Sequence, residues 1–205
     1  MLKRSITFIL FAVACILTAS AQDCKADNII PKPESVVMGN RNSTFDLNPE
    51  TRVVYNWDNS DLKPAIKALD RLTADLFGKK MSKGTKAHGD NNVIFKHNAS
   101  LADEGYILEI TPENILISAK TGAGAFYAIQ TLKQIIPVQA YETPINIDKL
   151  TLPTIKISDK PKFGYRGFML DCSRHFWNKE TIKEVLDILA MHKMNRFHWH
   201  LTEDQ

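Results

Sequence analysis

The chain has 205 residues, of which 44% are hydrophobic and 24% are charged, values typical of globular proteins rather than of disordered ones. The length suits one ordinary domain, or a small domain with part of another. Of the 26 basic residues, Lys3 and Arg4 lie close to the first residue, and the other 24 nearly balance the 23 acidic residues. This near-neutral charge argues against a nucleic acid or an anionic membrane surface as the partner.

Residues 1–21 have the three regions of a secretory signal peptide. Two basic residues come first, residues 6–17 form an uncharged apolar stretch, and Ala19-Ser20-Ala21 is a typical cleavage site. The apolar stretch is short for a membrane span. We therefore expect export to a bacterial periplasm, to the cell surface or to the medium, with no transmembrane segment after cleavage. A lipid anchor at Cys15 is the alternative.

Between residues 27 and 158, several short segments are rich in β-branched and other apolar residues, as strands are. These strand-like segments are 51–56, 93–95, 106–110, 115–119 and 155–158. Thr111-Pro112-Glu113-Asn114 separates two of them and is typical of a hairpin turn, so those two strands are expected to pair antiparallel. Residues 138–153 have little periodicity and two prolines, which predicts a connector.

Two segments of the same region carry apolar residues at helical spacing. The first covers residues 62–77 and is ended by Gly78, and the second covers about 124–136 and is followed by Pro137. Together with the strands, these helices predict a small α+β domain over residues 27–158. Its two helices are expected to cover one face of a mainly antiparallel sheet.

From residue 162 the pattern changes to strand, helix and strand. Residues 167–170 are a continuous apolar run, as expected for a strand that is buried on both faces. Asn178 is a good helix N-cap, and a second strand is predicted over 194–201. Strands joined by a helical crossover run parallel. Residues 162–205 are therefore expected to form one βαβ unit, the incomplete start of a (β/α)8 TIM barrel.

Polar and charged side chains follow both strands of this unit, and that is where a βα-barrel builds its active site. They are Asp171, Arg174 and His175 after the first strand, and His200, Glu203 and Asp204 at the end of the second. The guanidinium of Arg174 presents a fork of donors that suits sugar hydroxyls or a carboxylate, and a salt bridge to Asp171 or Glu203 is its alternative role. Adjacent side chains such as Glu203 and Asp204 point opposite ways on an extended segment, so they are not expected to act together on one bond.

His198-Trp199-His200 places two imidazoles on the same side of a strand. With His175 and Glu203 nearby, they are candidate ligands for a metal ion. Histidines in strands are more often hydrogen-bonded structural residues, and the set of ligands is incomplete. We therefore expect neither a metal nor another cofactor in this chain.

Three segments carry a resemblance to a known family. Residues 165–176 (YRGFMLDCSRHF), Lys193-Met194-Asn195 and residues 198–205 (HWHLTEDQ) closely resemble the start of the catalytic barrel of β-N-acetylhexosaminidases, glycoside hydrolase family 20. Residues 29–157 are similar to the small α+β domain of that family. The resemblance covers nearly the whole chain after the signal segment, and its motifs are most specific in residues 165–205.

The resemblance implies roles for the strand-end residues. Arg174 matches an arginine that binds ring hydroxyls of a terminal N-acetylhexosamine. Glu203 matches the first acid of a motif of the type H-L-T-D-D-Q, where the family usually has aspartate; this carboxylate supports the site by bonding to a histidine further along. Asp171, His175, His200 and Asp204 match positions that support the strand ends.

The resemblance also implies a retaining, substrate-assisted hydrolysis, in which the 2-acetamido oxygen of the sugar attacks the anomeric carbon. A glutamic acid protonates the leaving oxygen, and a neighbouring aspartate orients the acetamido group. No residue up to Gln205 matches that pair, so no catalytic residue is assigned in this chain. We expect the N-terminal part of a secreted exo-β-N-acetylhexosaminidase, acting on glycans or glycoconjugates with terminal N-acetylhexosamine and inactive by itself. A metal-dependent TIM-barrel hydrolase and a non-catalytic carbohydrate-binding module remain as alternatives.

Overall fold

The computed structural model describes residues 28–57, 59–142 and 147–202. The predicted signal segment and the predicted site residues Glu203 and Asp204 lie outside these ranges. The strands are β1 Ser35–Met38, β2 Thr44–Leu47, β3 Arg52–Tyr55, β4 Ser82–Gly84, β5 Asn92–His97, β6 Tyr106–Ile110, β7 Asn114–Ala119, β8 Leu150–Pro153, β9 Ile155–Asp159, β10 Gly167–Asp171 and β11 Arg196–His200. The helices are α1 Asn59–Phe77, α2 Gly122–Ile135, α3 Gln139–Glu142 and α4 Lys179–Met191.

Seven strands form one mixed sheet in the order β1-β9-β6-β7-β5-β3-β4. The first four strands in this order pair antiparallel, and β7, β5, β3 and β4 pair parallel. The prediction of a mainly antiparallel sheet is therefore wrong for half of the strand pairings. The reason is the connections: α1 carries the chain back between β3 and β4, and the hairpin places β7 rather than β6 beside β5.

The two predicted helices of this α+β layer are confirmed. Leu69, Leu72 and Leu76 of α1 are buried, and α1 ends before Gly78, whose φ of 70° is left-handed. The second helix begins slightly earlier than predicted, at Gly122, and packs against α1 and against β6 and β7. Alternate residues of β6 and β7 are buried, so one face of the sheet forms the core together with the helices.

The predicted connector is wrong. Residues 138–153 contain the short helix α3 and the strand β8, which pairs antiparallel with β2 in a separate two-stranded sheet. Phe45, Leu47 and Leu152 bury this pair against the core. The two strands have four residues each and lie about a hundred positions apart, too short and too distant for local periodicity to reveal.

The last part of the chain forms the predicted βαβ unit. Strands β10 and β11 are parallel, and their register pairs Gly167 with Arg196 and Asp171 with His200. Asn178 caps α4, since its side chain accepts a hydrogen bond of 2.8 Å from the backbone N–H of Thr181. Among the described strands, β10 and β11 pair only with each other. Within the described ranges, no helix is long and apolar enough to cross a membrane.

Candidate functional site

The structure brings three of the predicted residues together at the carboxyl ends of β10 and β11. Asp171 and His200 lie opposite each other in the register and project from the same side of the pair. His200 Nδ1 lies 3.4 Å from one carboxylate oxygen of Asp171, and Arg174 Nη1 lies 2.8 Å from the other. We call Asp171, Arg174 and His200 the strand-end cluster.

Asp171 organises the loop that follows β10. Its Oδ1 accepts hydrogen bonds from the backbone N–H of Ser173 at 2.9 Å and of Arg174 at 3.2 Å. The backbone N–H of Arg174 is the main cause that holds the pKa of Asp171 below the usual range of an aspartate; the N–H of Ser173 and the charges of Arg174 and His200 act in the same direction. Asp171 is therefore an anion that fixes both the loop backbone and the arginine.

The guanidinium of Arg174 is presented to solvent at the mouth of the predicted barrel, with 71% of the side chain exposed. The salt bridge to Asp171, which was the alternative role for this arginine, does form. An exposed pair of this kind contributes little to stability, because solvent screens the two charges. The pair therefore orients the arginine more than it stabilises the fold.

The remaining predicted residues lie around this cluster. His175 is exposed and packs edge-on against Trp177, with 4.8 Å between ring centroids. The rings of His198 and His200 lie 6.0 Å apart on one side of β11. Among the residues that the structure describes, no three His, Cys, Asp or Glu side chains are grouped so that they could hold a metal ion.

A contact that the sequence did not reveal closes the strand ends. The backbone N–H of Cys172 donates to the carbonyl of His200 at 2.8 Å, so the pairing continues one residue beyond β10. The indole Nε1 of Trp199 donates to the Cys172 sulfur at 3.2 Å. Both contacts follow from the register of the two strands and not from any motif.

Sequence reasoning also missed a polar cluster at the opposite, amino-terminal ends of β10 and β11. Arg166, Lys193 and Asn195, which we call the docking cluster, attach the βαβ unit to the α+β layer. Arg166 binds Glu104 through two nitrogens at 2.8 and 3.1 Å and donates to the hydroxyl of Tyr127 at 2.9 Å. Hydrogen bonding to Arg166 is the main cause that lowers the pKa of Glu104.

Lys193 is a buried cation, with 3% of the residue exposed. Its Nζ lies 2.8 Å from Asp159 Oδ2 and donates to the hydroxyl of Tyr106 at 2.8 Å. Burial lowers the pKa of Lys193, and the ion pair with Asp159 opposes that shift. Lys193 and Asn195 stand in a segment that resembles the hexosaminidases, but neither hydrophobic spacing nor a motif assigned them a role.

A cavity of about 440 Å³ lies between α2 and α4, lined in part by Phe126, Leu189 and Phe197. It borders the amino-terminal half of β11 and does not include Asp171, Arg174 or His200. The chemistry of the strand ends is therefore separate from this cavity, and the candidate site is an open edge.

Two family models match the chain. The model described as glycosyl hydrolase family 20, domain 2, matches residues 26–160. The model described as glycosyl hydrolase family 20, catalytic domain, matches residues 163–205. The matches meet between β9 and β10, where the α+β layer ends and the βαβ unit begins.

The chain is also similar to individual proteins. It is 40% identical over 185 residues to a β-hexosaminidase of Porphyromonas gingivalis. The aligned region covers 88% of this chain and 23% of that protein. The structure of an exo-β-N-acetylglucosaminidase of Vibrio harveyi with N-acetylglucosamine matches at 30% identity and a TM-score of 0.74, over 87% of this chain and 26% of the other. The N-acetyl-β-hexosaminidase of Streptomyces plicatus matches at 29% identity and a TM-score of 0.76, over 88% of this chain and 36% of the other. The chain thus spans about a quarter to a third of the length of these relatives.

Proposed function

The chain belongs to glycosyl hydrolase family 20, and we propose that it forms the N-terminal part of an exo-β-N-acetylhexosaminidase. Such an enzyme removes terminal β-linked N-acetylglucosamine or N-acetylgalactosamine from glycans. The observation that carries the proposal is the position of Arg174: it is exposed at the carboxyl end of the first strand of a segment that matches the family's catalytic domain.

Each strand-end residue has a task in this proposal. Arg174 donates hydrogen bonds to ring hydroxyls of the terminal sugar. Asp171 holds the guanidinium in place from one side and stands opposite His200 on the other, so it couples the two strand ends. By their match to the family's catalytic domain, His175, Glu203 and Asp204 have supporting roles in the site.

The reaction that we propose is substrate-assisted and retaining. The acetamido oxygen of the sugar attacks the anomeric carbon, and a glutamic acid gives its proton to the leaving oxygen. Water then opens the cyclic intermediate. Residues of the present chain bind and orient the sugar, and the acid and its aspartate partner come from a later barrel strand.

Export is part of the proposal. Its support is the pattern of residues 1–21, in which basic, apolar and small residues follow one another as in secretory signals.

The test uses the protein translated from the longest open reading frame that contains these 205 codons. We expect it to release p-nitrophenol from the N-acetyl-β-D-glucosaminide. The matched control is the β-D-glucoside, which lacks the 2-acetamido group and is not expected to be cleaved. Equal rates on both substrates would contradict the mechanism, and no release from either would contradict the function.

A further inference from the structure

We propose that Lys193 is a positioning residue, through which the α+β layer sets the β10–β11 pair that carries the strand-end cluster. The inference assigns a task to the α+β layer itself. It rests on the proposed function insofar as the cluster binds a sugar, but its test below does not depend on hydrolysis.

The backbone at the end of α4 adopts an unusual conformation at Lys193. Lys193 has a φ of 58°, in the left-handed region that favours glycine. The N–H of Lys193 donates to the carbonyl of Ala190 at 3.0 Å, and the N–H of Met194 donates to that of Leu189 at 2.9 Å. These two bonds are those of a Schellman motif. A lysine therefore stands where glycine would suit the backbone better.

The chain itself provides the comparison. At the end of α1 the left-handed residue is Gly78, with a φ of 70°. A lysine at the matching place in α4 strains the backbone, and ending the helix does not require it. The reason for Lys193 therefore lies in its side chain.

This side chain contacts two strands of the α+β layer directly, and through Tyr106 it is linked to the helix α2. Its ammonium binds Asp159 at the end of β9 and Tyr106 at the start of β6. The Tyr106 hydroxyl also lies 3.0 Å from Asp159 Oδ2 and 2.6 Å from the hydroxyl of Thr131 in α2. A buried cation is tolerated only when it is paired and hydrogen-bonded, and each of these contacts fixes its position.

Hydrogen bonds of Asn195, close to Lys193 in the chain, fix the start of the β10–β11 pairing. Two residues further on, the side-chain oxygen of Asn195 accepts a hydrogen bond of 3.0 Å from the backbone N–H of Arg166. The backbone N–H of Asn195 donates to the Arg166 carbonyl at 3.0 Å. The side-chain amide of Asn195 also donates to Glu104 at 3.3 Å. The register starts here, and a slip of one residue would turn His200 to the other face, away from Asp171.

The test is hydrogen exchange of the 205-residue chain at low concentration, followed in two peptides by mass spectrometry. Residues 167–174 contain Cys172, whose N–H donates to His200 across the far end of β11. That end is the whole length of β11 away from the turn, roughly 16 Å. Residues 92–97 of β5, which pairs with β3 and β7, report on the α+β core.

The Lys193→Gly variant relieves the strained backbone and removes the ammonium. We expect exchange in 167–174 to become about tenfold faster or more, while exchange in 92–97 stays the same. The control, Lys183→Met, removes an exposed lysine from α4, the helix that Lys193 follows, and should change neither peptide. Unchanged exchange in 167–174 of Lys193→Gly would overturn the proposal, because the lysine would then only end the helix. Equal acceleration of both peptides would also overturn it, because the role would then be general stability.

Asp159→Asn is the second variant and decides the matter if Lys193→Gly does not fold. It keeps the shape of the carboxylate and removes its charge. We therefore expect exchange in 167–174 to accelerate selectively, but by a smaller factor than in Lys193→Gly. Uniform or absent acceleration in this variant contradicts the proposal. Because no substrate is used, a negative result here leaves the hydrolase proposal standing, and a missing activity leaves this one standing.

Discussion

At the scale of single residues, the Asp171 carboxylate connects the loop after β10 with the end of β11. It accepts two backbone hydrogen bonds, pairs with Arg174 and faces His200. These partners all favour the charged form, which is why the folded pKa is lowered. The order of the loop therefore depends on the ionisation of one side chain.

The lowered pKa of Asp171 gives the pH dependence its sign. A carboxylate with a folded pKa below its unfolded value contributes stability above the unfolded pKa, and that contribution is lost as the pH falls through the folded pKa. We expect the amide NMR signals of Ser173 and Arg174 to titrate with a midpoint below the usual range of an aspartate. Asp171→Asn should abolish the titration. A midpoint within or above the usual range would contradict the hydrogen bonding described here.

At the scale of elements, the helices of the α+β layer were predictable because apolar residues recur along them at helical spacing. The shorter strands were not: β4 has three residues, and β2 and β8 have four each. The mixed character of the sheet depends on which distant strands become neighbours, and local patterns do not contain that information.

The site was predictable to the same degree. Asp171, Arg174 and His200 follow strands, and parallel strands bring their carboxyl ends together, so their proximity was expected. The docking cluster was not predictable, because its partners are remote in sequence: Arg166 and Glu104 are 62 residues apart, and Lys193 and Tyr106 are 87 apart. Only the folded chain brings these charges together.

The Arg166–Glu104 pair gives a prediction for the attachment of the βαβ unit. Arg166→Met leaves Glu104 without its bidentate partner in a largely shielded place, where 12% and 28% of the two side chains are exposed. We expect a loss of about 3 kcal/mol in the free energy of unfolding measured with urea.

The matched control is Lys79→Met, which breaks an exposed pair with Glu50 at 2.9 Å. Its cost should stay below about 1 kcal/mol. If both variants lose the same free energy, the docking cluster has no special place in the stability of this molecule.

Across the whole molecule, the α+β layer buries its apolar side chains, whereas the βαβ unit leaves many of its own exposed. The sheet of the α+β layer is packed against helices, whereas α4 has no buried residue. Phe168 and Met169 of β10 are 42% and 50% exposed, and β10 and β11 have no other strand as a neighbour among the described residues. Such apolar, unpaired strand edges are sites of association.

We therefore expect the 205-residue chain to self-associate at micromolar concentration in sedimentation velocity. Phe168→Lys places a charge on β10 and should weaken association by about tenfold, since charges on edge strands oppose pairing. Val138→Lys is the control, because Val138 is 60% exposed but lies on the α+β layer. A chain that stays monomeric, or equal effects of the two variants, would contradict this expectation.

The central claim is that the strand-end cluster binds the terminal sugar of the substrate of an exo-β-N-acetylhexosaminidase. Its most direct test is kcat/KM for p-nitrophenyl N-acetyl-β-D-glucosaminide, measured for the protein from the longest open reading frame and for its Arg174→Ala variant. Charge-assisted hydrogen bonds contribute about 1.5–3 kcal/mol each, so losing two predicts a fall of about 100-fold or more. Arg41→Ala, at another exposed arginine, should leave kcat/KM unchanged. An Arg174→Ala enzyme as active as the unchanged protein would contradict the claim.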